Sequence, residues 1–170
     1  MSAAGVSLAD AWEVLRGIRD PEIPVISIVD LGIVREVKVE GTRVEVSITP
    51  TYSGCPAMHA IEEDIGARLR ESGYGEVGIT QRLAPAWTTD WMSADARERL
   101  REYGIVPPQP AKGRASGADS HRIHLFSRGV DCPRCGSENT ERLSAFGSTA
   151  CKAMYRCVDC REPFDYFKPL

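Results

Sequence analysis

The sequence predicts an α+β chain: a small helix-covered three-stranded sheet domain followed by a small metal-held module. Three observations carry this expectation. Apolar residues recur first at helical and then at alternating spacing through the first hundred or so positions. The stretch PPQPAKGRASGADS, residues 107–120, lacks large apolar side chains and reads as a linker. Five of the six cysteines fall in the last 39 residues, and four of those five form two CxxC pairs. The expected division is a domain over 1–106, a flexible linker over 107–120 and a module over 121–170.

The first element begins at Ser7, whose hydroxyl suits an N-cap ahead of Leu8, Ala11, Trp12, Leu15 and Ile18 at helical spacing. Pro21 and Pro24 stop that helix. Residues 33–40 place Ile33, Val37 and Val39 on one face, and residues 43–49 place Val44, Val46 and Ile48 on one face, with Gly41 turning the pair into a hairpin. Residues 56–72 carry Met58, Ile61, Ile65 and Leu69 as an apolar stripe that ends at Gly73. Val77, Ile79 and Leu83 predict a third strand, and Ser93 caps a last helix ending near Gly104. Three strands alone cannot bury a core, so the helices must cover a face.

Composition excludes several classes of function. At 170 residues, 42% apolar and 26% charged, the chain has the balance of an ordinary soluble globular protein. Its start, MSAAGVSLADAWEV, has neither a basic n-region nor a sustained apolar run, and no 18 consecutive apolar residues occur, so a cytoplasmic protein with no membrane partner is expected. The net charge of −3 gives no general attraction to phosphate backbones. Within 121–170, eight Lys and Arg face six Asp and Glu, a surplus that four thiolates on one divalent metal would cancel, so nucleic acid is not an expected partner. No Ser-His-Asp arrangement, phosphate loop or dinucleotide glycine motif is present, and an independent enzyme is not expected.

Cys55, in TPTYSGCPA, is the lone cysteine of the first domain. With Pro56 at the first helical position, Cys55 falls at the N-cap, where backbone N–H groups and the helix dipole favour thiolate. Gly54 keeps the approach open. The same residue could equally be a small buried hydrophobe, and Glu62, Glu63 and Asp64 would oppose ionisation if they faced it.

Cys132, Cys135, Cys157 and Cys160 give a stronger signal, because the 21 residues between the two pairs suffice for two strands that bring four sulfurs into a tetrahedron. A short module with few core residues needs such a staple. Structural zinc is the favoured ion, although four thiolates also suit iron. Cys151 is a leftover thiol for which packing is the default reading, with a place near the metal or reactivity beside Lys152 as the other options. His121 and His124 are read as surface residues. Trp87 and Trp91, four apart in PAWTTDW, suit either a core pair or a partner-docking edge beside the Cys55 loop, and the interrupting proline and threonines favour docking.

DPEIPVISIVDLGIV (20–34), TPTYSGCPA (49–57), LAPAWTTDWM (83–92), STACKAMYRC (148–157) and EPFDYFKP (162–169) together resemble the PaaD family, also called PaaJ. These are small accessory proteins of bacterial phenylacetyl-CoA epoxidase systems. The first domain is similar to the iron-sulfur assembly family that includes SufT. The resemblance spans nearly the whole chain apart from the linker and the extreme N-terminus.

The resemblance implies a maturation factor for iron or iron-sulfur centres in the oxygenase and the iron-sulfur flavin reductase components, and not a catalyst. A stoichiometric adaptor subunit of the oxygenase complex is the second reading, and homodimerisation is left open. On this basis Cys55 corresponds to the cysteine of the assembly motif and would hold iron or a cluster transiently. Asp20 and Glu22 correspond to the acidic DPE element and Asp30 to the DLG element, with Thr49 and Thr51 on the approach to the thiol. Without the family, Asp20, Glu22 and Asp30 would be read as turn formers.

Overall fold

The computed structural model describes residues 6–108 and 130–169 of the chain. His121, His124 and nearly all of the expected linker lie outside the described residues. Contacts divide the chain into two compact units, the first ending at Arg99 and the second running from Leu100 to Pro169.

In the first unit, α1 (Leu8–Arg16) starts at Ser7, which accepts from the Asp10 N–H while the Asp10 carboxylate accepts from the Ser7 N–H and hydroxyl. Ala11 and Leu15 are fully buried. Strands β1 (Val34–Glu40) and β2 (Arg43–Ile48) form the expected antiparallel hairpin, with Glu40 opposite Arg43 across a two-residue turn in which Gly41 takes φ 62°. A register shift between Val34 and Glu36 bends β1 where it leaves the loop before it. Helix α2 (Ala57–Glu71) buries Ile61, Ile65 and Leu69, each adding roughly 1.5–3 kcal/mol of apolar burial. It carries the chain back to β3 (Glu76–Gln81), which pairs parallel to β2, giving the sheet order β1-β2-β3. Leu83, expected to continue that strand, lies beyond it and is exposed because pairing stops at Gln81.

A short 3-10 turn (Thr89–Trp91) precedes α3 (Ala94–Tyr103), within which the two units divide. In the second unit β4 (Ile105–Val106), β5 (Thr140–Ser144), β6 (Lys152–Cys157) and β7 (Pro163–Phe167) form a sheet in the order β4-β7-β6-β5. The β4 pairing is a finding against the expected boundary at 106: Ile105 and Val106 hydrogen-bond parallel to Asp165 and Tyr166 and so belong to the second sheet. A core of Val130, Cys132, Ala153, Tyr155, Cys157 and Phe164 underlies it, with Tyr155 stacked on Phe164 and edge-on to Tyr166.

Candidate functional site

Cys55 sits at the end of a tight turn. Its N–H donates to the Tyr52 carbonyl at 3.3 Å, and Gly54 at the third turn position has φ 79°, a value that selects glycine. The residue that caps α2 is Pro56, one position later than expected, so Cys55 lies just outside the helix. The Ala57 backbone N–H and the Tyr52 side chain beside its sulfur both favour the thiolate.

The thiol is nevertheless pushed up rather than down, which corrects the expected ionisation. Burial dominates: Cys55 is only half-exposed, and desolvation of the thiolate outweighs the Ala57 donor. The Glu22 and Asp20 carboxylates add repulsion in the same direction. The opposing acids are thus from the DPE turn, and not Glu62, Glu63 or Asp64 of the helix.

That turn is closed by Asp20 itself. The buried Asp20 Oδ1 accepts from the Glu22 and Ile23 N–H groups at 2.9 and 2.8 Å, and the Asp20 N–H donates to the Ile26 carbonyl at 2.9 Å. Asp30 points its chemistry elsewhere: Oδ2 pairs with Arg99 at 2.8 Å, and its backbone carbonyl accepts from the Ser93 N–H at the head of α3. Thr49 and Thr51 are buried in the segment that leads into the Cys55 turn, with the Thr49 N–H donating to the Ile33 carbonyl at 2.9 Å.

Trp87 is a core residue, which corrects its reading as a docking edge. It is 4% exposed and its indole N–H donates to the Leu31 carbonyl at 3.0 Å. Trp91 is half-buried, and the guanidinium of Arg35 lies 3.5 Å from its ring centroid. Gly32 of the DLG element packs against it so closely that a Cβ would fall 2.7 Å from the Trp91 Cβ and carbonyl oxygen.

In the second unit, the ligand atoms of Cys132, Cys135, Cys157 and Cys160 all lie within 4.8 Å of one another, with Cys132 to Cys160 at 3.6 Å and Cys135 to Cys157 at 3.5 Å. A tetrahedron of thiolates at zinc distance has edges of about 3.8 Å, so the donor set fits a four-sulfur ion site. The Cys157 thiol is lowered to about 7, first by the Cys160 N–H, which donates to its sulfur. Among the described residues this is the one group of three or more Cys, His, Asp or Glu close enough to hold an ion. Cys55, Asp20 and Glu22 do not form such a set, so the two carboxylates cannot complete a site around that thiol in this conformation.

The two knuckles are also tied to each other. The Asp159 carboxylate accepts from Ser137 and, at 2.9 Å, from Asn139 Nδ2, while the Val158 N–H donates to the Asn139 carbonyl at 2.9 Å. Sequence reading missed this clamp; the SEN run after the first knuckle and VD inside the second are its only trace. Cys151 is buried, with its sulfur 3.0 Å from the Thr149 hydroxyl, and it stands outside the four-sulfur group. Its neighbour Lys152 is buried too and pairs with Asp165 at 3.5 Å.

An α+β unit with one thiol in a tight turn, followed by a four-cysteine β ribbon, defines a class of two-module proteins with one built metal site. Residues 8–80 match the family model of iron-sulfur cluster assembly proteins, and residues 117–168 match that of the PaaD zinc beta ribbon domain. The chain is 52% identical over 159 residues to a protein of Escherichia coli (strain K12) named as a subunit of a 1,2-phenylacetyl-CoA epoxidase, covering 94% of this chain and 91% of that one. It is 37% identical over 93 residues to an Fe-S protein maturation auxiliary factor of Porphyromonas gingivalis (strain ATCC BAA-308 / W83), covering 54% of this chain and 88% of the other. The crystal structure of a DUF59 domain from Bacillus anthracis (TM-score 0.51, 26% identity) covers 54% of this chain and 89% of its own. A conserved hypothetical protein of Thermotoga maritima (TM-score 0.51, 26% identity) covers 58% and 98%. The chain belongs to the PaaD family of phenylacetyl-CoA epoxidase components. No helix among the described residues is long and apolar enough to cross a membrane.

Proposed function

We propose that this chain is an accessory maturation factor of a multicomponent phenylacetyl-CoA epoxidase in aerobic phenylacetate degradation, acting in the cytoplasm and assisting assembly of iron or iron-sulfur centres in the oxygenase or the flavin reductase component. The observation that carries the reading is Cys55: a reachable thiol on a glycine turn, set in a domain whose relatives include an Fe-S protein maturation auxiliary factor. Its raised pKa suits a donor that holds metal briefly, since Fe(II) must displace a proton to bind and the proton returns when the metal leaves. Because no second ligand set surrounds Cys55 among the described residues, an iron or cluster in transit would take its other ligands from the client or from a second molecule. The assembly unit itself performs no reaction on the epoxidase substrate.

The ribbon holds zinc structurally on Cys132, Cys135, Cys157 and Cys160. Four thiolates leave no open coordination position, so this ion folds the module and takes no part in transfer. Elemental analysis of the purified protein should return one zinc per chain.

The second reading is a stoichiometric adaptor, favoured by the naming of the Escherichia coli relative as a subunit. Co-expression separates the two. The oxygenase and reductase components are made with wild-type protein, with Cys55→Ser and with neither, and iron and acid-labile sulfide are counted in each. A deficit with Cys55→Ser equal to that without the protein supports maturation; full loading with Cys55→Ser, with the protein retained in the complex, establishes the adaptor.

A further inference from the structure

At Thr49, where the chain leaves β2 for the Cys55 turn, lies a cleft of about 380 Å³ that is also lined by Arg35, Glu36, Arg82, Pro85 and Trp91. Arg35 comes from β1 and Arg82 follows β3, so the two guanidinium groups approach from strands on either side of β2. Their circumstances differ. Arg82 is neutralised by Glu36 at 2.9 Å. Arg35 has no carboxylate partner among the described residues: its flat face is spent on Trp91, and its nearest oxygen is the Gly32 carbonyl at a marginal 3.5 Å.

A guanidinium held by its face keeps its in-plane N–H donors for something else. Those donors match a carboxylate bidentately, and the Trp91 ring fixes the plane in advance, which removes much of the ordering cost. The cleft carries two positive charges and one negative. A single carboxylate balances that surplus, whereas a doubly charged phosphate would face Glu36. Thr49 is shared with a second, smaller groove of about 90 Å³ that includes Tyr52, Ser53 and the exposed Leu83. An extended segment anchored by its carboxylate at Arg35 would therefore run over Leu83 toward the turn that presents Cys55.

The geometry points to this cleft as the client-docking surface, accepting an Asp or Glu side chain on an exposed segment of an epoxidase component with an apolar residue beside it. The inference rests on the maturation reading for the identity of the client, and it assigns to Arg35 and Arg82 a role that none of the family motifs carries.

The test titrates the full-length protein against purified oxygenase and purified reductase components, each made without it. Wild-type protein should bind one of them, with affinity falling as salt rises. Arg35→Glu should weaken that binding about tenfold or more and flatten the salt dependence. Arg82→Glu is an independent second variant from the other wall and should act in the same direction. Arg16→Glu, at the exposed end of α1 and outside the cleft lining, should bind as wild type. Unchanged affinity in both cleft variants, or no binding of wild type to either component, overturns the docking surface. Failure of the maturation reading looks different: the cleft variants weaken binding while Cys55→Ser leaves client iron at the wild-type level.

Discussion

Gly136 and Arg161 adopt the same left-handed conformation, φ 74° and 65°, each directly after the second cysteine of its knuckle. The backbone turns are alike too: the Cys132 N–H donates to the Ser137 carbonyl at 2.9 Å, and the Cys157 N–H to the Glu162 carbonyl at 3.0 Å. A knuckle that wraps two thiolates around one ion thus needs the left-handed residue whatever its side chain. Glycine supplies it freely at one, and arginine supplies it at a cost of about 1–2 kcal/mol at the other.

Exchanging these residues should therefore move stability in opposite directions. Arg161→Gly should stabilise the ribbon by about 0.5–1 kcal/mol, because glycine's extra unfolded-state entropy offsets part of the relieved strain. Gly136→Ala should cost about 1 kcal/mol. Thermal unfolding of the zinc-loaded protein, followed by tyrosine signal and metal release, reads both.

Asp159→Ala should weaken zinc binding by about tenfold while leaving all four ligands in place. The variant removes the acceptor that joins Ser137 and Asn139 to the second knuckle, so the sulfurs must be gathered at the expense of binding energy. Competition with a chromophoric chelator measures the loss; an affinity equal to wild type would show that the strands alone preorganise the site.

Gly32→Ala should be far more damaging than Gly54→Ala, although both glycines have φ near 80°. Each substitution carries the left-handed cost of about 1–2 kcal/mol, but only at Gly32 does the new Cβ meet an obstacle, the Trp91 Cβ and backbone. Among the described residues nothing lies within 4 Å of a Cβ at Gly54. Urea unfolding should place Gly32→Ala at least about 2 kcal/mol below wild type and Gly54→Ala within about half that loss.

Cys55 should alkylate more slowly than a free cysteine at neutral pH, yet faster than the buried Cys151. Its folded pKa is raised, so its contribution to stability is complete below the pKa of the unfolded thiol and is lost as pH rises through the folded value. Glu22→Gln should speed alkylation severalfold by removing a repelling charge, but not to the free-thiol rate, because burial is the larger cause. Rates against pH, read by peptide mass, give both effects.

The four-cysteine site is legible in the sequence because ligand spacing is a local property: two knuckles and a strand-length gap are written in the order of residues. The hairpin, the α2 stripe and the Ser7 cap are legible for the same reason. Spacing also places Cys55 in a turn at a helix entrance, but it misjudges the thiol's ionisation, because burial, the larger cause, is a property of the folded chain and the Glu22 and Asp20 carboxylates come from a segment more than thirty positions earlier. Trp87 escapes for a related reason. Its irregular surroundings suggest exposure, but its N–H finds the Leu31 carbonyl across the fold, a contact that no spacing rule contains. Asp20 shows the converse, since its turn-forming role follows from the residue type alone.

The two-residue strand Ile105–Val106 has a consequence for how the second sheet comes into being. Its partners, Asp165 and Tyr166, leave the ribosome only after both knuckles and the strands between them have been made. The edge of β7 can close only on a segment made long before it, so completion of this sheet is a late event in synthesis. Any recombination that transferred the ribbon to another protein by cutting at the proline-rich stretch would leave β7 with an uncovered edge, ready to pair with a neighbouring chain.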